Sequence, residues 1–290
     1  MTLNKIYNIW SLTSEDEDIQ TQNTSKFYDI VNDIRNSKYI WSKQDMDTFK
    51  AFLKHNEKKW FVVNLFSKLD IIPEQLFQPF IEAAIHETNP SANRYFIEPC
   101  LRVFGFERVF ESLNLHFQNG NNETKIGVCK AYYWARSPLV SVSKGDGPCE
   151  TKGYHLKWNG HYYSDYDRDK ETHYEMTASE VSKCKVVLKT LRIARRKLLL
   201  EEFLKNKDTD VRYQIKLRLP DDISSFSSEN KALANLYFKV LAKDVVPDNY
   251  ADLQLKKRLG IFGNNKLIRF FLKKKNDRIK KKGLITLKNK

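Results

Sequence analysis

The chain has 290 residues, and its 50 Lys or Arg exceed its 36 Asp or Glu, which gives a formal net charge of +14 at pH 7. No apolar run approaches the ~18 residues that a membrane-spanning helix needs, and the first residues lack the basic and then apolar layout of a secretory signal. The four cysteines show no Cys-x-x-Cys spacing, which argues against a cysteine zinc site and a disulfide framework. We therefore expect a soluble protein of the cytoplasm.

The N-terminal segment is acidic. Consecutive acids run from Glu15 to Asp18. Neighbouring acids of this kind form a solvated stretch more often than a metal site. The sequence therefore predicts a flexible acidic segment over residues 1–25.

The next segment has the apolar spacing of helices. Between Lys43 and Leu69 the apolar residues follow three- and four-residue steps, and they are Met46, Phe49, Phe52, Leu53, Phe61, Val62, Leu65, Phe66 and Leu69. Pro73 suits the start of a further helix. Pro79 and Pro99 lie inside helical patterns, and we expect each to kink its helix or end it early.

A turn pattern recurs four times along the chain: an apolar run, a polar break, a cation, and then an aromatic residue or Ile. The aligned cations are Lys59, Arg94, Lys125 and Arg212. The first two intervals are 35 and 31 residues. A period of this size is typical of stacked helical repeats, because one helix pair cannot bury its apolar face without neighbours.

The best copy of this pattern combines the apolar run Leu198–Lys205 with the turn Asp208-Thr209-Asp210-Val211-Arg212. It resembles the first helix and the Asp-x-x-Val-Arg turn of the HEAT-like repeat family. The resemblance implies a mainly α fold, a HEAT-like α-solenoid of stacked antiparallel helix pairs over residues 26–263. It also implies a structural role for the aligned cations, packed between adjacent repeats.

Residues 137–176 interrupt the repeats as an insertion that is polar and aromatic. Asn159-Gly160 predicts a type I′ turn, and therefore a β-hairpin from Tyr154 to Tyr166 in which Leu156 faces Tyr163. Aromatic residues are frequent among interface hot spots. We expect partner binding by Tyr154, Trp158, His161, Tyr162 and Tyr163.

Histidines also gather in this insertion, with a cysteine just before them: His155, His161, His173 and Cys149. These residue types are the preferred ligands of zinc. In the predicted hairpin, however, His155 and His161 fall on opposite faces. We therefore expect solvent-facing strand histidines and no metal.

Positive charge is concentrated at the C-terminus. Residues 251–290 hold fourteen Lys or Arg against two Asp. Such density attracts polyanions through counterion release, and the candidate cations in the tail 264–290 are Lys273, Lys274, Lys275, Arg278, Lys280, Lys281 and Lys282. The alternative is a charged capping helix that keeps the array soluble.

No catalytic signature accompanies these features. The chain has no Gly-x-Ser-x-Gly elbow, no His-Glu-x-x-His and no dinucleotide fingerprint, so we predict no catalytic residues, no metal and no cofactor. The favoured function is a non-enzymatic binding or scaffold module that engages a protein partner through the repeat surface and the hairpin.

The alternative function is a nucleic-acid-binding protein, similar in outline to the HEAT-like DNA glycosylases that repair alkylated bases. The catalytic acid and aromatic residues of that family cannot be matched to positions here. A basic groove that holds a buried carboxylate flanked by aromatic residues would favour this alternative.

Overall fold

The computed structural model describes residues 2–12, 17–37, 39–69, 71–135, 139–142, 150–156 and 173–243. This part of the chain is mainly helical. The chain divides into two compact units, Met1–Arg192 and Ile193–Lys290. None of the described helices is long and apolar enough to cross a membrane.

Eleven α-helices lie within the described residues. The first eight are α1 (Leu3–Ser11), α2 (Glu17–Ser37), α3 (Lys43–Leu53), α4 (Lys59–Lys68), α5 (Phe77–His86), α6 (Arg94–Phe104), α7 (Phe106–Asn119) and α8 (Asn122–Trp134). They are followed by α9 (Ala178–Lys205), α10 (Thr209–Lys216) and α11 (Lys231–Lys243). Helix α1 falls within the segment predicted to be flexible, and its Leu3 and Ile6 are buried.

Side-chain caps explain where several helices begin. Ser42 and Asp45 form a reciprocal capping box before α3, with N···O distances of 3.0 and 3.1 Å. A second box lies before α9: the Thr177 N–H donates to Glu180 Oε2 at 2.8 Å, and the Glu180 N–H donates to Thr177 Oγ1 at 3.3 Å. These caps satisfy N–H groups that have no partner inside the helix.

The two prolines behave differently from one another. Pro79 lies in the first turn of α5, where a missing N–H costs nothing. Pro99 lies inside α6, which continues to Phe104. The prediction that both end or kink their helices is therefore wrong for Pro79, and α6 does not end at Pro99.

The helices of the first unit pack largely in sequence order. Helix α5 packs on α6, α6 on α7 and α7 on α8, and α4 and α5 also contact α6 and α7, the helices next but one along the chain. Side-chain contacts between α4 and α6 join residues 33 to 36 positions apart, and Ser112 of α7 reaches Gln78 of α5 across 34. This spacing agrees with the interval of 35 residues from Lys59 to Arg94.

Phenylalanine rings connect these helices through the core. Phe66 of α4 lies 5.0 Å from Phe49 of α3 and 6.1 Å from Phe80 of α5, between ring centroids. Phe80 in turn lies 6.4 Å from Phe96 of α6. All four rings are fully buried, and such tilted and edge-on contacts are favourable beyond the area they bury.

An arginine from α6 binds the C-terminal end of α4. Arg102 donates to the carbonyl oxygens of Ser67 at 3.3 Å, Phe66 at 3.2 Å and Leu69 at 2.9 Å. Arg35 of α2 donates to the neighbouring carbonyl of Lys68. The last carbonyls of a helix have no hydrogen-bond partner within it and carry partial negative charge. The two guanidinium groups supply both the missing donors and a compensating positive charge.

The insertion contains three short strands, β1 (Leu139–Val142), β2 (Glu150–Leu156) and β3 (His173–Glu175), paired antiparallel in that order. Leu156 pairs with His173, whereas the predicted hairpin would pair it with Tyr163. The hairpin is therefore not shown. Its turn, Asn159-Gly160, lies outside the described residues.

We expect Arg102→Met to lower the free energy of unfolding by roughly 2–3 kcal/mol, because it leaves buried helix-end carbonyls without a charged donor. Urea denaturation of the full chain measures the loss. Arg108→Met is the matched control, since Arg108 forms an exposed ion pair with Glu74 and such pairs contribute little. Equal losses in the two variants would contradict the assigned role of Arg102.

We also expect Gly127→Ala to destabilise the protein, although Ala normally favours a helix over Gly by about 1 kcal/mol. A Cβ atom at Gly127 of α8 would overlap the carbonyl group of Ile85 in α5. Thermal denaturation checks this, with the exposed Glu123→Ala on the same helix as control. A melting temperature at or above that of the parent chain would show that α5 and α8 can separate without cost.

Candidate functional site

Most of the binding residues predicted from sequence lie outside the described residues. These are Trp158, His161, Tyr162, Tyr163, Lys273, Lys274, Lys275, Arg278, Lys280, Lys281 and Lys282. Tyr154 lies in β2, where its backbone pairs with Glu175. Partner binding by the hairpin and polyanion binding by the tail therefore stay predictions.

The described residues contain a different candidate, which we call the cation–aromatic cluster. It is formed by the start of α4, the start of α6, the end of α8 and the loop that joins α5 to α6. Its members are Lys59, Trp60, Glu87, Arg94, Tyr95, Lys130 and Trp134.

The packing of α4 against α6 places two members of the cluster side by side. Trp60 and Tyr95 each occupy the second position of their helix, and their ring centroids lie 6.0 Å apart at an interplanar angle of 85°. Trp60 also contacts the buried Phe96, with 5.5 Å between centroids. The cations Lys59 and Arg94 directly precede these two aromatic residues and so come from neighbouring helix starts.

Arg94 lies against two aromatic rings. Its guanidinium carbon is 4.7 Å from the Tyr95 ring centroid and 5.8 Å from that of Trp134. Its Nη2 donates to the Tyr95 hydroxyl at 2.8 Å, and Trp134 Nε1 donates to the Pro90 carbonyl at 2.7 Å. Such stacking leaves the edges of a guanidinium able to bind oxygen acceptors.

Glu87 anchors the loop from inside the cluster. Its side chain is 5% exposed, and its Oε2 lies 2.7 Å from Lys59 Nζ. Its Oε1 accepts the backbone N–H of Asn89 at 2.8 Å. Burial by itself would raise the pKa of Glu87, but the hydrogen bonds from Lys59, Asn89 and Thr88 and the charge of Lys59 outweigh it and hold the pKa below its usual value.

The loop is also held at its far end, so the cluster is preformed. Asn93 is fully buried and donates from Nδ2 to the carbonyl of Ala84. Lys130 Nζ lies 3.5 Å from the carbonyl oxygen of Thr88. The loop is therefore bonded to α5 and α8 as well as to α4.

The cluster has the chemistry of a binding face. It carries three cations and one carboxylate, and Lys59 already neutralises that carboxylate. The rings of Trp60, Tyr95 and Trp134 are partly exposed, and the adjacent Tyr133 is 55% exposed. Negatively charged groups with some apolar surface fit this combination best.

Other chemistry-bearing groups do not form a site in the described part of the chain. No group of three or more His, Cys, Asp or Glu could hold a metal there. Burial raises the pKa of the Cys100 and Cys184 thiols, which keeps both unreactive.

A crevice of about 180 Å³ opens between α1, α2 and α4. Its polar side includes Lys68, whose Nζ bonds the Tyr28 hydroxyl at 2.9 Å. The volume is below the roughly 300 Å³ of ordinary ligand pockets.

Sequence reasoning assigned Lys59 and Arg94 a structural role and missed the rest of the cluster. Trp60 and Tyr95 were visible as the aromatic position that follows each cation. Glu87, Lys130 and Trp134 gave no signal, because their contacts are distant in sequence. Glu87 pairs with Lys59, 28 residues away, and Lys130 and Trp134 bond the loop across 42 and 44 residues.

Comparison with profiles of known protein families, with curated proteins and with solved structures finds no match. Functional inference therefore depends on the geometry of the site.

The Lys59–Glu87 pair makes stability depend on pH in a defined direction. Because the pKa of Glu87 is lower in the folded chain than its usual 4.5, the native state binds fewer protons. Its stabilisation is thus complete above pH 4.5 and is lost as the pH falls through the folded-state pKa. We expect Glu87→Gln to cost roughly 3 kcal/mol at neutral pH, and the difference from the parent chain to shrink below pH 4.5.

Urea denaturation between pH 3 and pH 7 measures this difference. Glu74→Gln is the control, because Glu74 also has a lowered pKa, owing to the hydrogen bond and charge of Arg108, but is exposed. High salt should reduce the contribution of Glu74 far more than that of Glu87. A Glu87→Gln deficit that is independent of pH would contradict the ion-pair assignment.

Proposed function

We propose that this chain is a non-enzymatic binding module of the helical-repeat type, and that the cation–aromatic cluster is part of its binding face. The observation that carries the proposal is the stacking of Arg94 against Tyr95 and Trp134 at a partly exposed position. Trp, Tyr and Arg are the residue types most enriched among interface hot spots.

The HEAT-like repeat is part of this proposal. It is supported by the offset of about 35 residues between contacting helices and by the position of the aligned cations. Lys59, Arg94, Lys125 and Arg212 all lie in the first turn of alternate helices, α4, α6, α8 and α10.

The partners of these cations nevertheless differ. Lys59 pairs with Glu87, and Arg94 stacks on aromatic rings. Arg212 Nε donates to the carbonyls of Phe203 at 3.2 Å and Asn206 at 2.6 Å. The aligned cations therefore share a position in the first turn of a helix, whereas the contacts of Lys59, Arg94 and Arg212 differ.

The partner that fits the cluster is an acidic protein segment. Glu87 is neutralised by Lys59, which leaves Arg94 and Lys130 to attract carboxylates beside the aromatic rings. The bonded loop also means that little conformational entropy is lost on binding.

A glycosylase-like activity ranks second. Glu87 is the one buried carboxylate among the residues described here, and its partner Lys59 lies 5.4 Å from the Trp60 ring centroid, so a buried carboxylate and an aromatic ring occur in one cluster. Its oxygens, however, are engaged by Lys59 and by the N–H of Asn89. This engagement favours a structural role for Glu87, and binding therefore ranks first.

A displayed library of random peptides tests the proposal. We expect the selected peptides to be rich in Asp and Glu and to bind Arg94→Met about tenfold more weakly than the parent chain, which corresponds to a loss of 1.4 kcal/mol. Arg108→Met is the matched control, because Arg108 also stacks on two rings, 4.3 Å from Phe77 and 5.1 Å from Phe104.

Fluorescence anisotropy with the selected peptides measures both variants. Unchanged affinity of Arg94→Met would remove the cluster from the binding face. In a second arm, a duplex that contains alkylated bases is incubated with the parent chain and with Glu87→Gln. Base release that disappears in Glu87→Gln would reverse the ranking in favour of the glycosylase.

A further inference from the structure

The middle of helix α9 is rich in positive charge. Between Val181 and Leu200 it holds seven cations and no Asp or Glu, and these cations are Lys183, Lys185, Lys189, Arg192, Arg195, Arg196 and Lys197. Residues 251–290 hold fourteen Lys or Arg and two Asp, so the other 250 residues carry a net charge of only about +2. Averaging over so many residues concealed this run.

The cations of α9 fall into two groups. Those beyond Ile193 include Arg196, which donates to the Ser225 carbonyl at 2.5 Å and lies 5.4 Å from the Phe226 ring centroid, and Lys197, which lies 3.9 Å from Glu201. The four that precede Ile193 are all exposed, and in the described part of the chain none of them forms an ion pair: Lys183, Lys185, Lys189 and Arg192. We call these four the α9 basic face.

The spacing of these residues points most of them in one direction. Lys185, Lys189 and Arg192 follow steps of four and three residues, which place them on one side of a helix. Val181, four residues before Lys185, and Cys184 are buried, so the exposed row of cations begins at Lys185. At a rise of 1.5 Å per residue, the three cations span about 10 Å along the helix.

Charge complementarity selects a polyanion as the ligand of this face. Lysine is depleted at protein interfaces, which use Trp, Tyr and Arg, whereas clustered exposed lysines are typical of contacts with phosphates. A helix that lies in a membrane surface needs a broad apolar face with Trp, Phe or Leu. On α9 the one large apolar side chain with high exposure among the described residues is Val186.

We propose that the α9 basic face binds the sugar-phosphate backbone of a nucleic acid. Binding is independent of base sequence, because phosphate contacts position a protein without reading bases. Each neutralised phosphate releases counterions and contributes about −0.9 to the slope of log affinity against log salt. This inference goes beyond the proposed function and does not depend on it, since the cation–aromatic cluster shares no residue with α9.

The test measures anisotropy of a labelled random-sequence DNA duplex with the full chain over a salt series. We expect the triple variant Lys183→Gln, Lys185→Gln, Lys189→Gln to bind about tenfold or more weakly at low salt, with a salt slope shallower by about 2–3. The charge-matched control is Lys26→Gln, Lys43→Gln, Lys54→Gln, which removes three exposed lysines elsewhere and should change affinity by less than about twofold.

Two further variants keep the result decisive. Replacement of the same three lysines by Arg retains the charge and should retain binding, which separates loss of charge from loss of fold. Gln at Lys273, Lys274 and Lys275 tests the tail. The proposal would be overturned if the tail variant lost DNA binding while the α9 variant bound DNA as tightly as the parent chain. Equal losses of affinity in the α9 variant and the charge-matched control would also overturn it.

Vesicles that contain phosphatidylserine form the last arm. Loss of vesicle binding in the α9 variant without loss of DNA binding would assign the face to a membrane surface and overturn the proposal. Absence of DNA binding by the parent chain at low salt would overturn it as well. Peptide binding at the cluster should be unchanged in the α9 variant. The peptide-binding proposal and the DNA-binding proposal are therefore tested independently.

Discussion

The contact of Arg102 with the end of α4 sets the arrangement on which the rest of the first unit depends. Ser67 and Leu69 are buried, so water cannot satisfy the carbonyls at this helix end, and an unmet carbonyl there would be costly. In the observed register of α4 and α6, the guanidinium of Arg102 reaches these carbonyls. That register brings Trp60 to Tyr95, so one hydrogen-bonded end of the α4–α6 pair positions the aromatic residues at the other end.

The same register explains the buried ion pair of the cluster. A buried pair such as Lys59–Glu87 adds little stability compared with apolar residues of similar volume, because both charges lose their water. Its effect here is positional: the carboxylate ties the loop before Arg94 to the start of α4. The guanidinium of Arg94 is consequently held against its rings before any partner arrives.

The two charged surfaces of the chain differ in physical character. The cluster combines Arg94 with aromatic rings, which favours a partner with apolar as well as acidic groups. The α9 basic face presents lysines with long, mobile side chains and little apolar surface, which favours a ligand whose charge is dense and repetitive. Selectivity between protein and nucleic acid would then follow from the aromatic content of each surface.

The sequence by itself indicated the helices between Lys43 and Leu69 and the Thr177–Glu180 cap before α9, because apolar spacing and capping depend on residues within a few positions of each other. It also indicated the interval of 35 residues that relates α4 to α6. Only the tertiary structure decided that Glu87 and Trp134 join Arg94, that Leu156 pairs with His173 and that Pro79 lies in a first turn. Periodicity specifies which face of a helix is apolar, whereas the packing of whole helices selects which distant side chains that face will meet.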